Sequence, residues 1–384
     1  MEIALPLSPA DFAKNYQEKK PLLMRQVVDA DRFSWRDANE IYDRSDVASE
    51  DFKLSLDGVR AKSEYVESYL DVGTRRHRLI KPVVYDYLRR GATLTANKIK
   101  NEPKVMRFAR QIADFTSRQI VSSAYAAFGS KDSFRCHWDT RDVFAIQLIG
   151  RKRWIIYPPS LESPWHTQQS RDYEQDYPCP TTPYMDVILE AGDILYVPRG
   201  WWHNPLPLDQ ETFHLALGTF PVYTMDYLSW LMSQMPNCIG ARRSLSTWQS
   251  DEQALIDVSE DLHTLINNPE NYARFMDTFI GATRVDSPLA IEQLGNPTCN
   301  ELDGITKLRL ASSGLVKSSE QYVIANGTKI NLDHSGERLL RHITDVPGIS
   351  VDELVSKCSD MNSHAVRTLL TELCRQDVLE LYGY

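Results

Sequence analysis

The hydrophobic pattern of this 384-residue chain changes character along its length. Up to about residue 118 it reads as short mixed elements. These are a helix opened by Ser8-Pro9-Ala10-Asp11, a strand at 20–25, a helix at 36–44, strands at 52–57 and 62–66, and helices at 83–90 and 104–118. In the last helix Val105, Phe108, Ala109, Ile112 and Phe115 recur at helical spacing. Short β-branched and aromatic runs follow at 120–128, 133–137, 142–149, 152–157, 186–189, 194–197 and 211–220. Gly129, Gly150, Pro158-Pro159, Gly192, Pro198 and Gly200 separate them. Many short strands punctuated in this way predict a sandwich or barrel.

After Pro221 the spacing turns helical, at 224–236, 249–267 and 269–283. Tyr227, Leu228, Leu231, Met232 and Met235 form an apolar stripe, and a short helical insert has little of its own to bury it against. The stripe either packs on the β domain or makes a dimer contact, and a dimer through residues 223–290 is the expectation. Pro288 and Gly295-Asn296-Pro297 mark a linker at 284–304. The remainder reads as strands near 306–310 and 321–325, an Asn326-Gly327 hairpin signal, helices at 335–343, 350–357 and 362–375, and a last strand at 377–382. That order predicts a winged-helix-like α+β module at 300–384.

Composition changes this picture little: 42% apolar and 25% charged residues are ordinary for a globular protein of two or three domains. No window approaches the ~18–20 apolar residues of a membrane span. The opening Met1-Glu2-Ile3-Ala4-Leu5-Pro6 lacks the basic and apolar regions of a signal peptide. The six cysteines include no C-x-x-C pair, so neither a zinc site nor a disulfide framework is signalled. A reduced, cytoplasmic protein is expected.

Charge is more informative. The net charge is −9, yet residues 75–118 hold twelve Lys/Arg against three acids. Such a segment marks either a surface for an anionic partner or a solvated face paired with acidic neighbours. The C-terminal module, 305–384, has nine bases and ten acids. Phosphate neutralisation dominates nucleic-acid affinity, so this module is expected to contact protein and not nucleic acid.

The candidate chemistry lies in two stretches. In Cys136-His137-Trp138-Asp139-Thr140-Arg141 an extended backbone puts His137 and Asp139 on one face. They supply an imidazole and a carboxylate to a common point. The second stretch, Gly192-Asp193-Ile194-Leu195-Tyr196-Val197-Pro198, ends in a turn and His203, 66 residues after His137. A sheet can unite ligands so far apart. Two histidines and one carboxylate form the face that suits non-haem Fe(II) and leaves positions open.

These stretches, with Asp142-Val143-Phe144 and Gly150-Arg151-Lys152-Arg153-Trp154 between them, resemble the JmjC (cupin-like) Fe(II)/2-oxoglutarate oxygenases. The whole-chain order is similar to that of their bacterial ribosomal oxygenase branch. The resemblance implies a mainly β double-stranded β-helix (jelly-roll) core with flanking helices, in a catalytic domain of residues 1–222 with its β core at about 120–222. A helical insert and the winged-helix-like domain follow. It implies Fe(II) held by His137, Asp139 and His203, with dioxygen and 2-oxoglutarate as cosubstrates. It also implies that Lys152 holds the distal carboxylate of 2-oxoglutarate. His214 and Tyr125, on neighbouring strands, are further candidate cosubstrate contacts. The implied reaction is hydroxylation of a protein side chain, foremost on a ribosomal protein. The alternatives are a catalytically silent adaptor and an N-methyl-lysine demethylase. Trp138, Thr140-Arg141 and the stretch 130–135 depart from the family's pattern and are expected to line the pocket mouth.

Overall fold

The computed structural model describes residues 1–129, 135–312 and 322–382. They form two compact units, Met1–Phe220 and Pro221–Tyr384.

The first unit is built on one antiparallel sheet. Its chain carries β1 (Leu22–Met24), β2 (Phe52–Ser55), β3 (Val66–Asp71), β4 (Thr74–Leu79), β5 (Thr93–Ala96), β6 (Gln119–Ala127), β7 (Asp142–Tyr157), β8 (Met185–Leu189), β9 (Ile194–Val197) and β10 (Trp202–Phe220). The strand order is β1-β9-β7-β10-β6-β5-β2, with β8 also on β7, while β3 and β4 make a separate hairpin. Period-2 alternation sorts the side chains of the central pair. Phe144, Ile146 and Leu148 of β7 and Phe213, Leu215 and Leu217 of β10 join one core cluster. Phe12 of helix Pro9–Asn15 and Phe108 and Ile112 of helix Pro103–Thr116 belong to that cluster too. Full burial of each such side chain contributes roughly 1.5–3 kcal/mol. The opposite face of the same strands carries Val143, Lys152, Trp154, His214 and Ala216 and lines a pocket. This is the double-stranded β-helix core that was expected.

Several boundaries differ from the pattern. The strands expected at 142–149 and 152–157 are one strand of 16 residues. Gly150 lets it bend at φ +65°, where a Cβ would lie 1.9 Å from the Glu211 carbonyl oxygen. The strand expected at 211–220 begins at Trp202. Pro205 and Pro207 hid its first half. They are tolerated because residues 202–207 pair with β7, whereas β6 pairs only with 212–220. Lys62–Tyr65 is a helical turn, not a strand. The β3–β4 hairpin was missed because Val72, a β-branched residue, occupies a turn position at φ +45°. The predicted strand 133–137 falls partly on residues outside those described.

Several of the bases in this segment pair with acids of the same unit. Arg76 pairs with Asp71, Arg78 with Glu67, Lys98 with Asp51, Lys104 with Asp37 and Arg118 with Asp142. The solvated-face reading of its charge therefore holds for these residues.

The second unit opens with helices Thr224–Gln234, Trp248–Ile266 and Pro269–Ala282. Tyr227 and Leu231 of the expected apolar stripe are buried with Phe275 in the same unit, while Met232 is exposed. The module beyond has β11 (Lys307–Leu310), a hairpin of β12 (Tyr322–Ala325) and β13 (Thr328–Asn331), then β14 (Ile349–Ser350) and β15 (Leu379–Leu381). β11, β14 and β15 form a small sheet. Helices His334–Asp345, Val351–Lys357 and Ser363–Arg375 bury Leu340, Leu354 and Leu370 in its core. The hairpin turns at Asn326-Gly327, both at positive φ. This is a winged-helix-like α+β fold. No helix among the described residues is long and apolar enough to cross a membrane.

Candidate metal centre

His137 and Asp139 lie on the extended stretch before β7, and His203 lies one residue into β10. His137 and His203 exchange both backbone hydrogen bonds, at 3.1 and 2.8 Å. This bridge sets the two imidazoles beside each other, with ring centroids 4.3 Å apart. The Gly200 N–H donates to the Asp139 carbonyl at 2.9 Å and ties the second stretch to the first. Asp139 Oδ2 lies 3.8 Å from His203 Nε2. One ligand atom from each of the three residues falls within 4.8 Å of the others.

Hydrogen bonding defines the state of both imidazoles. His137 Nδ1 lies 2.9 Å from the Arg135 carbonyl, and His203 Nδ1 lies 3.1 Å from the Trp201 carbonyl. A carbonyl only accepts, so each Nδ1 donates and each Nε2 keeps its lone pair for a ligand. Burial, with the nearby His137, holds His203 down, to about 4, so its ring is neutral near pH 7. Burial pushes the Asp139 carboxyl up, but Arg141 and then the two histidines outweigh it, and the net shift is downward. Asp139 accepts no side-chain hydrogen bond among the described residues. Two imidazoles and a carboxylate with no side-chain hydrogen bond among the described residues fit a divalent first-row metal with open positions.

The three residues stand at one side of a pocket whose cavity volume is about 70 Å³. Lys152, only 2% exposed, is among its lining residues. The Tyr125 and His214 rings also line it and stack at 4.9 Å, 10° from parallel. Burial and the charge of Asp139 push the Tyr125 hydroxyl up to about 12, so it stays a protonated donor. Burial, then the charge of Lys152, holds His214 well below its ordinary value. Trp154 Nε1 and His214 Nδ1 are buried without a hydrogen-bond partner. A buried ammonium with unmet polar atoms close by suits a small acid.

All six residues singled out from the sequence thus line one pocket. Trp154 was not singled out, although it shares the face of Lys152 two positions on, and alternation could have found it. The expected mouth residues need correction. Trp138 is 1% exposed, donates to the Gln168 carbonyl at 3.0 Å and packs edge-on against Trp202. Thr140 is buried as well. Where His137 and Asp139 face the pocket, the alternate positions must face away. Residues 130–134 lie outside the described ones.

Comparisons with known proteins agree with this architecture. Residues 95–227 match the JmjC domain family, and residues 264–380 match the ROXA-like winged helix family. The bifunctional lysine-specific demethylase and histidyl-hydroxylase NO66 of Drosophila persimilis is 24% identical over 232 residues, covering 57% of this chain and 31% of that protein. Ribosomal oxygenase 1 of Gallus gallus is 27% identical over 224 residues, covering 57% of this chain and 36% of that protein. The chain therefore spans about a third of the length of these curated relatives. Among solved structures, the Escherichia coli ribosomal oxygenase YcfD in complex with cobalt and 2-oxoglutarate superposes with a TM-score of 0.60. It shares 17% identity, and the match covers 100% of both chains. At that identity the likeness is one of fold.

Proposed function

We propose that this chain, whose residues 95–227 match the JmjC domain family and whose residues 264–380 match the ROXA-like winged helix family, is an Fe(II)- and 2-oxoglutarate-dependent dioxygenase that hydroxylates a protein side chain. The observation that carries this reading is the convergence of His137, Asp139 and His203 beside a pocket lined by the buried Lys152. When bound, a ferrous ion would supply dioxygen activation coupled to oxidative decarboxylation of 2-oxoglutarate to succinate.

The chain's own residues have separable tasks. His137, Asp139 and His203 hold the metal on one face and leave the pocket side open. The Arg135 and Trp201 carbonyls keep both Nε2 lone pairs aimed at it. Lys152 receives the distal carboxylate of the cosubstrate, and its burial excludes water from that charge pair. Tyr125 and His214 border the same acid. Because the relatives named above include ribosomal oxygenases, a ribosomal protein is the proposed substrate. A homodimer through residues 223–290 completes the proposal, with exposed Met225, Met232, Ile239 and Trp248 as contact residues.

Succinate release in the presence of iron, ascorbate, 2-oxoglutarate and ribosomal proteins is the direct assay. Wild-type protein is expected to release it above background, and His137→Ala is expected to abolish it. Lys152→Ala is expected to raise the KM for 2-oxoglutarate by roughly tenfold or more. Stoichiometric metal with no iron-dependent turnover on any ribosomal protein would leave the adaptor reading in its place.

A further inference from the structure

Arg141 has no part in the chemistry above, yet its setting is a built one. Its position continues the alternation His137, Asp139, Arg141, so its side chain leaves the backbone on the metal-binding face. The side chain lies over Gly218 of β10. A Cβ there would sit 2.8 Å from both Cδ and Nε of Arg141, so the side chain lies in close contact with the glycine and would have to shift for a larger residue. The guanidinium then stands 5.8 Å from the centre of the Phe220 ring. Gly218 gives the side chain room to lie along β10, and the Phe220 ring beside it attracts the guanidinium.

The guanidinium so held has no hydrogen bond or ion pair among the described residues. Other arginines of this unit are matched: Arg118 bonds Asp142, and Arg44 bonds Glu102. Gly218 lies two positions beyond Ala216 and four beyond His214, both of which line the pocket, so Arg141 stands over the pocket-facing side of β10. Five donors in a fixed fork with no acceptor are preorganised for a planar anion. Lys152 already serves the cosubstrate, deeper in the pocket.

We propose that Arg141 is a substrate-recognition residue that binds a carboxylate of the protein substrate next to the reacting side chain and turns away cationic target residues. This rests on the hydroxylase reading and narrows it. A lysine or methyl-lysine approaching the metal would meet a like charge fixed on Gly218 and Phe220. A neutral target flanked by aspartate or glutamate would meet its complement.

The test has a binding arm and a turnover arm. Zinc-loaded full-length protein is titrated with fluorescent nonapeptides carrying a central glutamate, glutamine or lysine, and anisotropy is read. Wild type is expected to prefer glutamate over glutamine by roughly tenfold, Arg141→Met to lose the preference, and Arg141→Glu to prefer lysine. In the turnover arm, iron-loaded protein is incubated with a digest of ribosomal proteins, and peptides gaining one oxygen are sequenced. The modified residues are expected to be neutral with an acidic neighbour, and Arg141→Glu is expected to lower kcat/KM for them at least roughly tenfold. Equal binding of glutamate and glutamine by wild type overturns the proposal. So does a lysine or arginine as the modified residue, or a change confined to the KM for 2-oxoglutarate. A wild type that releases no succinate at all defeats the hydroxylase reading instead, and the binding arm still decides the role of Arg141.

Discussion

Asp139 and Asp142 are three positions apart in sequence and opposite in circumstance. Asp142 has a side chain 1% exposed. It accepts from Arg118 Nη1 at 2.8 Å, from the Tyr196 hydroxyl at 2.7 Å and from the Arg199 backbone N–H at 2.9 Å. Those donors come from two stretches, Arg118 before β6 and Tyr196 with Arg199 at the end of β9, so the carboxylate acts as a clasp between them. Asp139 keeps 29% of its side chain exposed and accepts no side-chain hydrogen bond among the described residues. A carboxylate removed from water must find partners within the protein. Asp139, without such partners among the described residues and beside two imidazoles with free lone pairs, is free to take the proposed metal. Saturation suits a structural aspartate, and its absence suits the proposed ligand.

This contrast can be broken by experiment. The largest effect is expected at Asp139. Asp139→Ala is expected to lower metal-dependent turnover more than roughly 100-fold while leaving the melting temperature of the metal-free protein unchanged or higher. Differential scanning fluorimetry beside the succinate assay checks both halves. For Asp142→Asn the order reverses. It removes the nearer of two carboxylate partners of Arg118, leaving Glu18 at 3.4 Å, and is expected to cost roughly 2 kcal/mol or more, on the order of 4–8 °C, while the folded protein still binds one metal. A melt of Asp142→Asn no lower than that of Asp139→Ala would remove the distinction.

The pH dependence sharpens it further. His203 is held at about 4 in the folded state against an ordinary 6.5, and His214 is shifted the same way. The unfolded chain therefore takes up protons first as pH falls below 6.5. The metal-free protein is expected to lose stability between pH 6.5 and about 4, with no further loss from His203 below that. Melts of chelator-treated protein across this range, repeated with His203→Gln, should show the slope shrink. A slope unaffected by that change would mean that His203 is not buried as a neutral ring. The smallest effect is expected at Tyr196→Phe. It removes one of three donors to Asp142 and is expected to cost about 1–2 kcal/mol, with turnover per folded molecule preserved.

Part of this could be read along the chain, for a physical reason. Side-chain period is local, so the apolar runs announced the β core and alternation placed His137 with Asp139 and Lys152 with Trp154. Turn residues such as Gly150 and Asn326-Gly327 were legible for the same reason. Their consequences were not: Gly150 bends one long strand where two were expected. Pro205 and Pro207 argued against a strand that exists, because edge position depends on which strands lie alongside.

The sequence by itself determined which donors were available, namely two histidines, one aspartate and one lysine at alternating positions on β-rich stretches. It also determined the order of the elements that carry them. Tertiary structure alone decided that His137 and His203 pair across a backbone bridge and that Asp139 stays unmatched while Asp142 is saturated. It likewise decided that Arg141 lies against Gly218 with no hydrogen bond or ion pair among the described residues. Those properties concern distance between segments far apart along the chain, and no local pattern encodes them.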